Sequence, residues 1–380
     1  VRMPYSSSFS THHDPGTAVA EAIGHVLEKL GPQPDIAVLF ISGTFSRHTS
    51  DFLNATTELL APKALIGCTT NSLISGGMEI EQQTAVALFA GNLKGSATPV
   101  RVDATGIELN TVDGNNPVTS DSHSLLLLAD PFSFQGDSAV SIWNEKYPQI
   151  QVIGGLCSAG TTPGSNHLFL NKVSYSNGAV GLLIEGPTPI EPLVSQGCRP
   201  IGSPLIVTNS KENIIFELAG QSALSRLETM LKDLPKDDSD LARSGLHIGR
   251  VIDEHGLDFG RGDFLIRAVV GADRGSGAIA IGDVAPVGST VQFQVRDALS
   301  ASEDLESMLN NISPGDGALL FTCNGRGRHL FEMPHHDAAR VSSAVRGQAV
   351  SGMFCAGEIG PVGSRSFLHG FTASVAIFRD

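Results

Sequence analysis

Continuous apolar runs alternate with amphipathic stretches along the chain, and three groups of these segments follow one pattern. In each group an apolar strand is followed by a helical stretch, a second strand enters a glycine-containing turn, and a further apolar strand closes the group. The opening strands are predicted at residues 36–42, 124–130 and 318–324, and the closing strands at 84–90, 179–185 and 372–378. We therefore predict three β-α-β-β units in an α/β (mixed α+β) fold of mixed sheets flanked by helices.

The second strands of the three groups share a glycine close to a cysteine. They read Ala-Leu-Ile-Gly-Cys over residues 64–68, Val-Ile-Gly-Gly-Leu-Cys over 152–157 and Val-Ser-Gly-Met-Phe-Cys over 350–355. The shared pattern predicts that the units superpose, with Gly67, Gly154 and Gly352 at matching places.

Helical stretches are expected to cover one face of each sheet. In the second unit Val140, Trp143 and Tyr147 form one apolar helix face. In the third unit Asp337 is predicted to cap a helix that ends at Gly347. Because a unit this short cannot bury its sheet alone, the units are expected to stack on each other or on other elements.

A different segment lies between the second and third units. A hairpin is predicted at residues 205–218, then a helix, and then strands at 246–252, 264–270, 278–284 and 290–296. The polar run at 232–240 is predicted to be a loop or a mobile insertion. A chain of 380 residues exceeds the size at which one core keeps growing, and proline and glycine interrupt the pattern at 194–202. We predict two domains, residues 1–195 and 196–380.

Composition narrows the classes of partner. Hydrophobic residues make up 41% of the chain, which is typical of a globular protein. The formal net charge of −14 repels phosphate backbones, so no nucleic-acid partner is expected. The apolar stretches are too short to span a bilayer and the start has no signal pattern, so we expect no membrane insertion and a cytoplasmic location. The five cysteines form no C-x-x-C pair, which predicts reduced thiols rather than disulfides or a zinc site.

The clearest candidate for ligand binding is Asn324-Gly-Arg-Gly-Arg328, directly after an apolar strand. Glycines let backbone N–H groups converge on an anion, and the guanidinium groups of Arg326 and Arg328 suit a carboxylate or phosphate. The alternative is an ordinary solvated turn that carries two arginines. Because the segment lies at the end of a strand, we weigh a carboxylate clamp and an ordinary turn as equal alternatives.

Glu358, in Gly357-Glu-Ile-Gly-Pro361, follows the second strand of the same unit. A single carboxylate among glycines suits an ammonium or amide group of a ligand, although a turn carboxylate that accepts backbone N–H bonds is the alternative. Sequential strands are usually neighbours, so Arg326 and Glu358 are expected to face one crevice. An arginine with a glutamate suits a zwitterion such as an amino acid.

Three further residues are candidates for the same crevice. His369 lies in the turn before the last strand and Cys323 and Cys355 close two strands, although a surface histidine and buried inert thiols are the alternatives. No linear catalytic or metal-binding motif occurs, so we expect binding rather than turnover and no cofactor. An enzyme acting on a small amide or carboxylate with a Cys/His pair stays open, as does a haem protein with His369 or a cysteine as ligand.

Two stretches resemble a known family. Asp316 to Pro361, with Cys-Asn-Gly-Arg-Gly at 323–327 and Gly-Glu-Ile-Gly-Pro at 357–361, resembles the FIST C-terminal domain, and Ile-Gly-Cys-Thr-Thr at 66–70 is similar to an element of the FIST N-terminal domain. The N-terminal match departs at Ser72 and Leu73, where the family usually has Gly-Glu. The resemblance covers most of the chain from about residue 36. It implies a sensory module that binds a small ligand such as an amino acid, with haem reported for some relatives, and that signals to a downstream protein.

Overall fold

The computed structural model describes residues 3–104, 107–187, 190–256 and 258–379, in two compact units. The first unit holds the chain up to Val194, Leu305–Leu368 and the residues from Thr372 on, and the second holds Ser195–Asp304 and His369–Phe371. The last part of the sequence thus packs with the N-terminal half. The predicted division into residues 1–195 and 196–380 refers to the FIST N-terminal and C-terminal domains rather than to these compact units, and it stays a prediction.

The first unit consists of three repeats, each led by an extra strand. The first repeat contains β1 (Tyr5–Ser10), α1 (Pro15–Leu30), β2 (Ile36–Ser42), α2 (Thr49–Ala55), β3 (Ala64–Thr70), β4 (Leu73–Ser75), β5 (Met78–Ile80) and β6 (Val86–Gly91). The second contains β7 (Ser96–Val102), β8 (Ser122–Ala129), α3 (Gly136–Lys146), β9 (Gln151–Leu156), β10 (Leu168–Leu170), β11 (Val173–Tyr175) and β12 (Ala179–Glu185). The third begins with β13 (Glu191–Gln196), after which the chain enters the second unit.

The second unit is an antiparallel sheet with two helices. Its elements are β14 (Cys198–Pro200), β15 (Leu205–Lys211), β16 (Ile214–Leu218), β17 (Gln221–Ser222), α4 (Ala223–Asp233), α5 (Lys236–Ser244), β18 (Leu246–Val251), β19 (Phe264–Asp273), β20 (Ala278–Ile281) and β21 (Thr290–Arg296). The polar run at 232–240 was predicted to be a loop or a mobile insertion. This prediction is wrong over most of the run, because α5 begins at Lys236. Acidic residues in the first turn of α5 and Arg243 in its last turn complement the helix dipole.

The chain returns to the first unit within α6 (Ala298–Asn310) and completes the third repeat. The remaining elements are β22 (Gly317–Cys323), α7 (His336–Ser343), β23 (Val350–Cys355), β24 (Glu358–Val362), β25 (Arg365–His369) and β26 (Thr372–Phe378). The helix predicted to start at an Asp337 cap instead has His335 as its cap residue, so Asp337 lies inside the first turn.

The three sheets of the first unit have one strand order, and each borrows a hairpin from another repeat. The orders are β1-β6-β2-β3-β10-β11, β7-β12-β8-β9-β24-β25 and β13-β26-β22-β23-β4-β5. Thus the hairpin of the second repeat completes the first sheet, that of the third completes the second, and that of the first completes the third. The three β-α-β-β units are confirmed, and a cyclic exchange of hairpins joins them.

Strand register confirms the match of the three glycines. Gly67 lies opposite Leu39, Gly154 opposite Leu127 and Gly352 opposite Leu320, each on the second of two parallel strands. The backbone N–H groups two residues later make matching bonds to the borrowed hairpin: Thr69 to His167, Leu156 to Gly357 and Phe354 to Ser72.

Close backbone approach explains why glycine occupies these places. A Cβ atom on Gly67 would lie 2.1 Å from the Leu39 carbonyl oxygen. We expect Gly67→Ala to lower the free energy of unfolding by about 1–3 kcal/mol or more, measured by denaturant unfolding. Gly24→Ala is the control, because nothing lies within 4 Å of that added atom on an exposed face of α1, and it should stabilise by about 0.5–1 kcal/mol. Equal effects of the two changes would contradict this account.

Alternating side chains divide the first unit into a central core and three outer layers. On β2, Val38 and Phe40 join the central core, whereas Leu39 and Ile41 pack with α1 and α2. The central core draws on all three sheets, with Phe40 and Phe321 in edge contact at 6.4 Å. Burial on both faces explains the continuous apolar runs of these strands. Among the described residues no helix is long and apolar enough to cross a membrane.

Candidate functional site

The carboxyl ends of two parallel strands, β22 and β23, bring the candidate residues of the third repeat together. Cys323 and Cys355 are register partners at these ends. The turn that follows β22 is fixed by backbone bonds, from Asn324 N to the Cys355 oxygen at 2.9 Å and from Arg326 N to the Cys323 oxygen at 2.8 Å. Cys323 and Asn324 are partly exposed, whereas Arg326 is buried. The turn therefore leads from the surface into the protein.

Arg326 is bound by a partner within the protein. Its Nε and Nη2 atoms donate to the two carboxylate oxygens of Asp337, at 2.6 and 2.9 Å. Thr322 Oγ1 donates to the same carboxylate at 2.8 Å, and the guanidinium lies 5.2 Å from the Phe331 ring centroid. Burial alone would raise the pKa of Asp337, but the Arg326 charge and hydrogen bonds outweigh burial and hold the pKa well below its usual value.

Glu358 is the second buried ionisable group at these strand ends. Its Oε2 atom accepts from Thr372 N at 3.1 Å and from Thr372 Oγ1 at 2.9 Å. Burial raises the pKa of Glu358 to about 8, against the opposing effects of the Thr372 bonds, the nearby Arg326 charge and the Cys323 thiol. The charges of Arg326 and Glu358 affect each other's pKa, so the two side chains lie within electrostatic range. The single crevice expected for them stays a prediction.

Three buried atoms of this group have no hydrogen-bond partner in the described part of the chain. They are Arg326 Nη1, Glu358 Oε1 and Asn324 Oδ1. Buried polar atoms are nearly always paired, because an unpaired one costs about 1–3 kcal/mol. A guanidinium nitrogen, a carboxyl oxygen and an amide oxygen at one pair of strand ends are what a small polar ligand would satisfy. We call these three side chains the strand-end group.

Comparison of the repeats shows that the fold does not require Glu358. Glu358 pairs with Gly155 in the second sheet, where Leu168 pairs with Cys68 in the first and Leu73 with Met353 in the third. These are equivalent places, because each lies one residue before the residue that pairs with Gly154, Gly67 or Gly352. Both leucines are buried. A carboxyl group where the other repeats have leucine adds a desolvation cost without a packing gain.

A further buried carboxyl group, that of Glu79 in the hairpin of the first repeat, accepts hydrogen bonds from the backbone beside Asp337. Glu79 Oε1 accepts from Asp337 N at 3.0 Å and from Ala338 N at 3.1 Å, at the start of α7. Burial and the negative charge of Asp337 raise the pKa of Glu79 to about 7. Next to it, His336 Nδ1 lies 2.9 Å from Asp337 Oδ1, and its ring stacks on Phe331.

The raised pKa of Glu79 gives a pH dependence of stability with a definite sign. Because the pKa is about 7 when folded and 4.5 ordinarily, this stabilising contribution is complete below about pH 4.5 and is lost as the pH rises through 7. Between pH 5 and 8 the free energy of unfolding of the parent should fall by about 2.5 kcal/mol relative to that of Glu79→Gln. The glutamine keeps an acceptor oxygen for α7. Unfolding curves measured against pH test this, and parallel profiles would contradict it.

The other predicted residues lie as follows. The side chain of Arg328 is exposed beside Glu81, outside the buried group. Cys355 is buried in the central core, and burial raises its pKa well above the usual range, so it stays a thiol. His369, at the end of β25, is buried and belongs to the second unit.

Residues that the sequence did not indicate complete the site. Asp337 was expected to cap a helix, and Glu79 and Thr372 carried no local signal, since each comes from a distant segment. No cluster of three or more His, Cys, Asp or Glu side chains suited to a metal ion occurs among the described residues.

Comparison with known proteins identifies the family. The FIST N domain matches residues 35–221 and the FIST C domain matches residues 223–361. The chain belongs to the FIST family. An uncharacterized protein of Mycobacterium tuberculosis is 40% identical over 378 residues, 98% of each chain. An uncharacterized protein of Mycobacterium bovis is 40% identical over 378 residues, 97% of each chain.

The family match supports the resemblance seen in the sequence. FIST domains are associated with sensory signal transduction, in which they bind small ligands. The match to the FIST N domain extends to residue 221 and thus into the second unit, while the strand-end group lies within the match to the FIST C domain.

Proposed function

We propose that this FIST protein is a cytoplasmic sensor whose ligand is an amino acid or another small carboxylate, bound at the strand-end group. The observation that carries the proposal is the buried carboxyl group of Glu358 beside a buried arginine, at a place where the other two repeats have leucine. A buried ionisable group that the fold can do without is typical of a binding site.

The unpaired atoms suit the two ends of an amino acid. Arg326 Nη1 donates to a carboxylate oxygen, in a charge-assisted bond. Asn324 Oδ1 accepts from an ammonium or amide N–H. Because Asp337 already occupies two guanidinium nitrogens, Arg326 offers the ligand one nitrogen rather than a bidentate fork. The pairing with Asp337 also fixes the direction in which that nitrogen points.

A ligand screen with fragments tests the proposal. Thermal shifts with acetate, methylamine, glycine and the other amino acids should identify carboxylates as stabilising ligands, because a ligand that binds the folded state raises its unfolding temperature. Ligand NMR should show the compound unchanged after incubation, as expected of a sensor. A compound that is consumed, or a complete absence of stabilisation, would contradict the proposal.

Asn324→Ala separates the two ends of the ligand. Removing the acceptor oxygen should weaken glycine binding by about 1–3 kcal/mol and leave acetate binding nearly unchanged, since acetate has no ammonium group. Calorimetric titration of both compounds measures this difference. Arg328→Ala is the matched control, because that arginine is exposed in the same turn and should alter neither affinity. Equal losses for glycine and acetate would assign Asn324 a purely structural role.

The raised pKa of Cys355 argues against Cys355 as the nucleophile of a Cys/His enzyme, because the thiolate is the nucleophile. A sensor of this kind acts through a downstream protein that reads the bound state, and we include such a partner in the proposal.

A further inference from the structure

The two oxygens of Glu358 differ in their surroundings. Oε2 accepts both hydrogen bonds from Thr372, one from the backbone N–H and one from the hydroxyl. Oε1 is buried and has no hydrogen-bond partner among the described residues. Two donors directed at Oε2 keep it an acceptor, so a proton on this carboxyl group resides on Oε1. The acid form of Glu358 therefore presents an O–H donor at the unpaired position.

Arg326 presents the second donor, because its Nη1 atom is also buried and unpaired. We infer that Glu358 binds the ligand in its acid form, donating from Oε1 to the same ligand carboxylate that accepts from Arg326 Nη1. Glu358 is then a specificity-determining residue that selects carboxylates, and the bound carboxylate keeps Glu358 protonated. This inference rests on the proposed function and names the group of the ligand that the site recognises.

The charges around Glu358 support the acid form. Arg326 and Cys323 face it from β22 and its turn, and Cys355 from β23, while β9 contributes Gly155 and β26 contributes Thr372. The single guanidinium in this set is already paired with Asp337. An ionised Glu358 beside a ligand carboxylate would place two like charges in a buried site, where Arg326 is the one cation that acts on Glu358 among the residues that the structure describes.

The pKa of Glu358, raised to about 8 by burial, agrees with this geometry. A group with this pKa is mostly protonated at neutral pH, before any ligand binds.

Infrared difference spectra test the acid form without any ligand. The spectrum of the parent minus that of Glu358→Gln at pH 6 should contain the C=O band of a protonated carboxyl group, and the band should vanish as the pH rises through about 8. Glu79 does not interfere, because it is present in both proteins. Absence of the band at pH 6 would overturn the inference.

Acetate binding measured against pH tests the donor role. In the parent, acetate affinity should be constant between about pH 6, where acetate is fully ionised, and about pH 8, and then fall about tenfold per pH unit, because only the acid form of Glu358 donates. Glu358→Gln offers an N–H donor in place of the O–H, so it should bind acetate as well as the parent does at pH 7 and keep that affinity above pH 8. A parent affinity independent of pH, or loss of acetate binding in the glutamine variant, would overturn the inference.

The two tests distinguish this inference from the proposed function. If the carboxyl band is present but acetate, glycine and methylamine all fail to bind, the proposed function is contradicted and the ligand part of the inference falls with it. If acetate binds but the band is absent, the proposed function stands and the inference alone is wrong.

Discussion

Asp337→Ala is expected to lower the free energy of unfolding by about 3–5 kcal/mol, because it leaves the buried Arg326 guanidinium without a counter-charge. Thr322 Oγ1 and His336 Nδ1 also lose their shared partner. Denaturant unfolding at pH 7 measures the loss. If the ion pair were peripheral, the change would be below 1 kcal/mol, as for a surface salt bridge.

A double replacement separates the pair's own contribution from the cost of breaking it. Arg326→Met combined with Asp337→Leu removes both charges and keeps apolar volume, so it should recover most of the stability lost in Asp337→Ala. If the double variant were as unstable as Asp337→Ala, the protein would depend on these two charges for folding. Recovery would instead indicate that the buried pair is retained for binding.

Glu358→Leu is expected to weaken carboxylate binding by about 2–5 kcal/mol while the protein stays folded. Leu73 and Leu168 at the equivalent places of the other repeats show that this position accepts leucine. The unpaired Thr372 N–H costs about 1–3 kcal/mol, which the removal of a desolvated carboxyl group offsets at alkaline pH. Calorimetry with acetate and unfolding at pH 7 and 9 measure both effects.

A conservative change at the equivalent place of another repeat is the control for Glu358→Leu. Leu168→Val alters the equivalent place in the first sheet by one methylene group and should leave acetate affinity unchanged, with a stability loss of about 0.5–1.5 kcal/mol. Retained affinity in Glu358→Leu would remove Glu358 from the site and leave its burial unexplained.

Local pattern was enough to predict the repeats, because a strand buried on both faces has to be continuously apolar. The matching of Gly67, Gly154 and Gly352 followed from the same pattern, since close backbone approach excludes every other residue at each place. The exchange of hairpins could not be predicted, because a short hairpin such as β4–β5 has the same sequence pattern whichever sheet it joins.

For the site, the sequence indicated Arg326 and Glu358 because both follow apolar strands of one unit. The partner of Arg326 was missed, since an aspartate at the start of a helix is most simply interpreted as a cap. Asp337 instead points inward, and Glu79 from another repeat satisfies the helix N–H groups. Such long-range pairing follows from tertiary packing and leaves no trace in residue spacing. The run at 232–240 was misjudged because α5 is polar over most of its length.

The exchanged hairpins also bear on synthesis at the ribosome. Ser351 Oγ bonds to the Ile74 oxygen across 277 residues of sequence, so β4 is made long before the strand that it pairs with. At about 5–20 residues per second, the hairpin waits roughly 15–55 s for β23, and the open edge of β9 waits roughly 10–40 s for β24. The nascent N-terminal half therefore exposes unpaired strand edges during translation, and it is in that interval that a chaperone would protect the chain from aggregation.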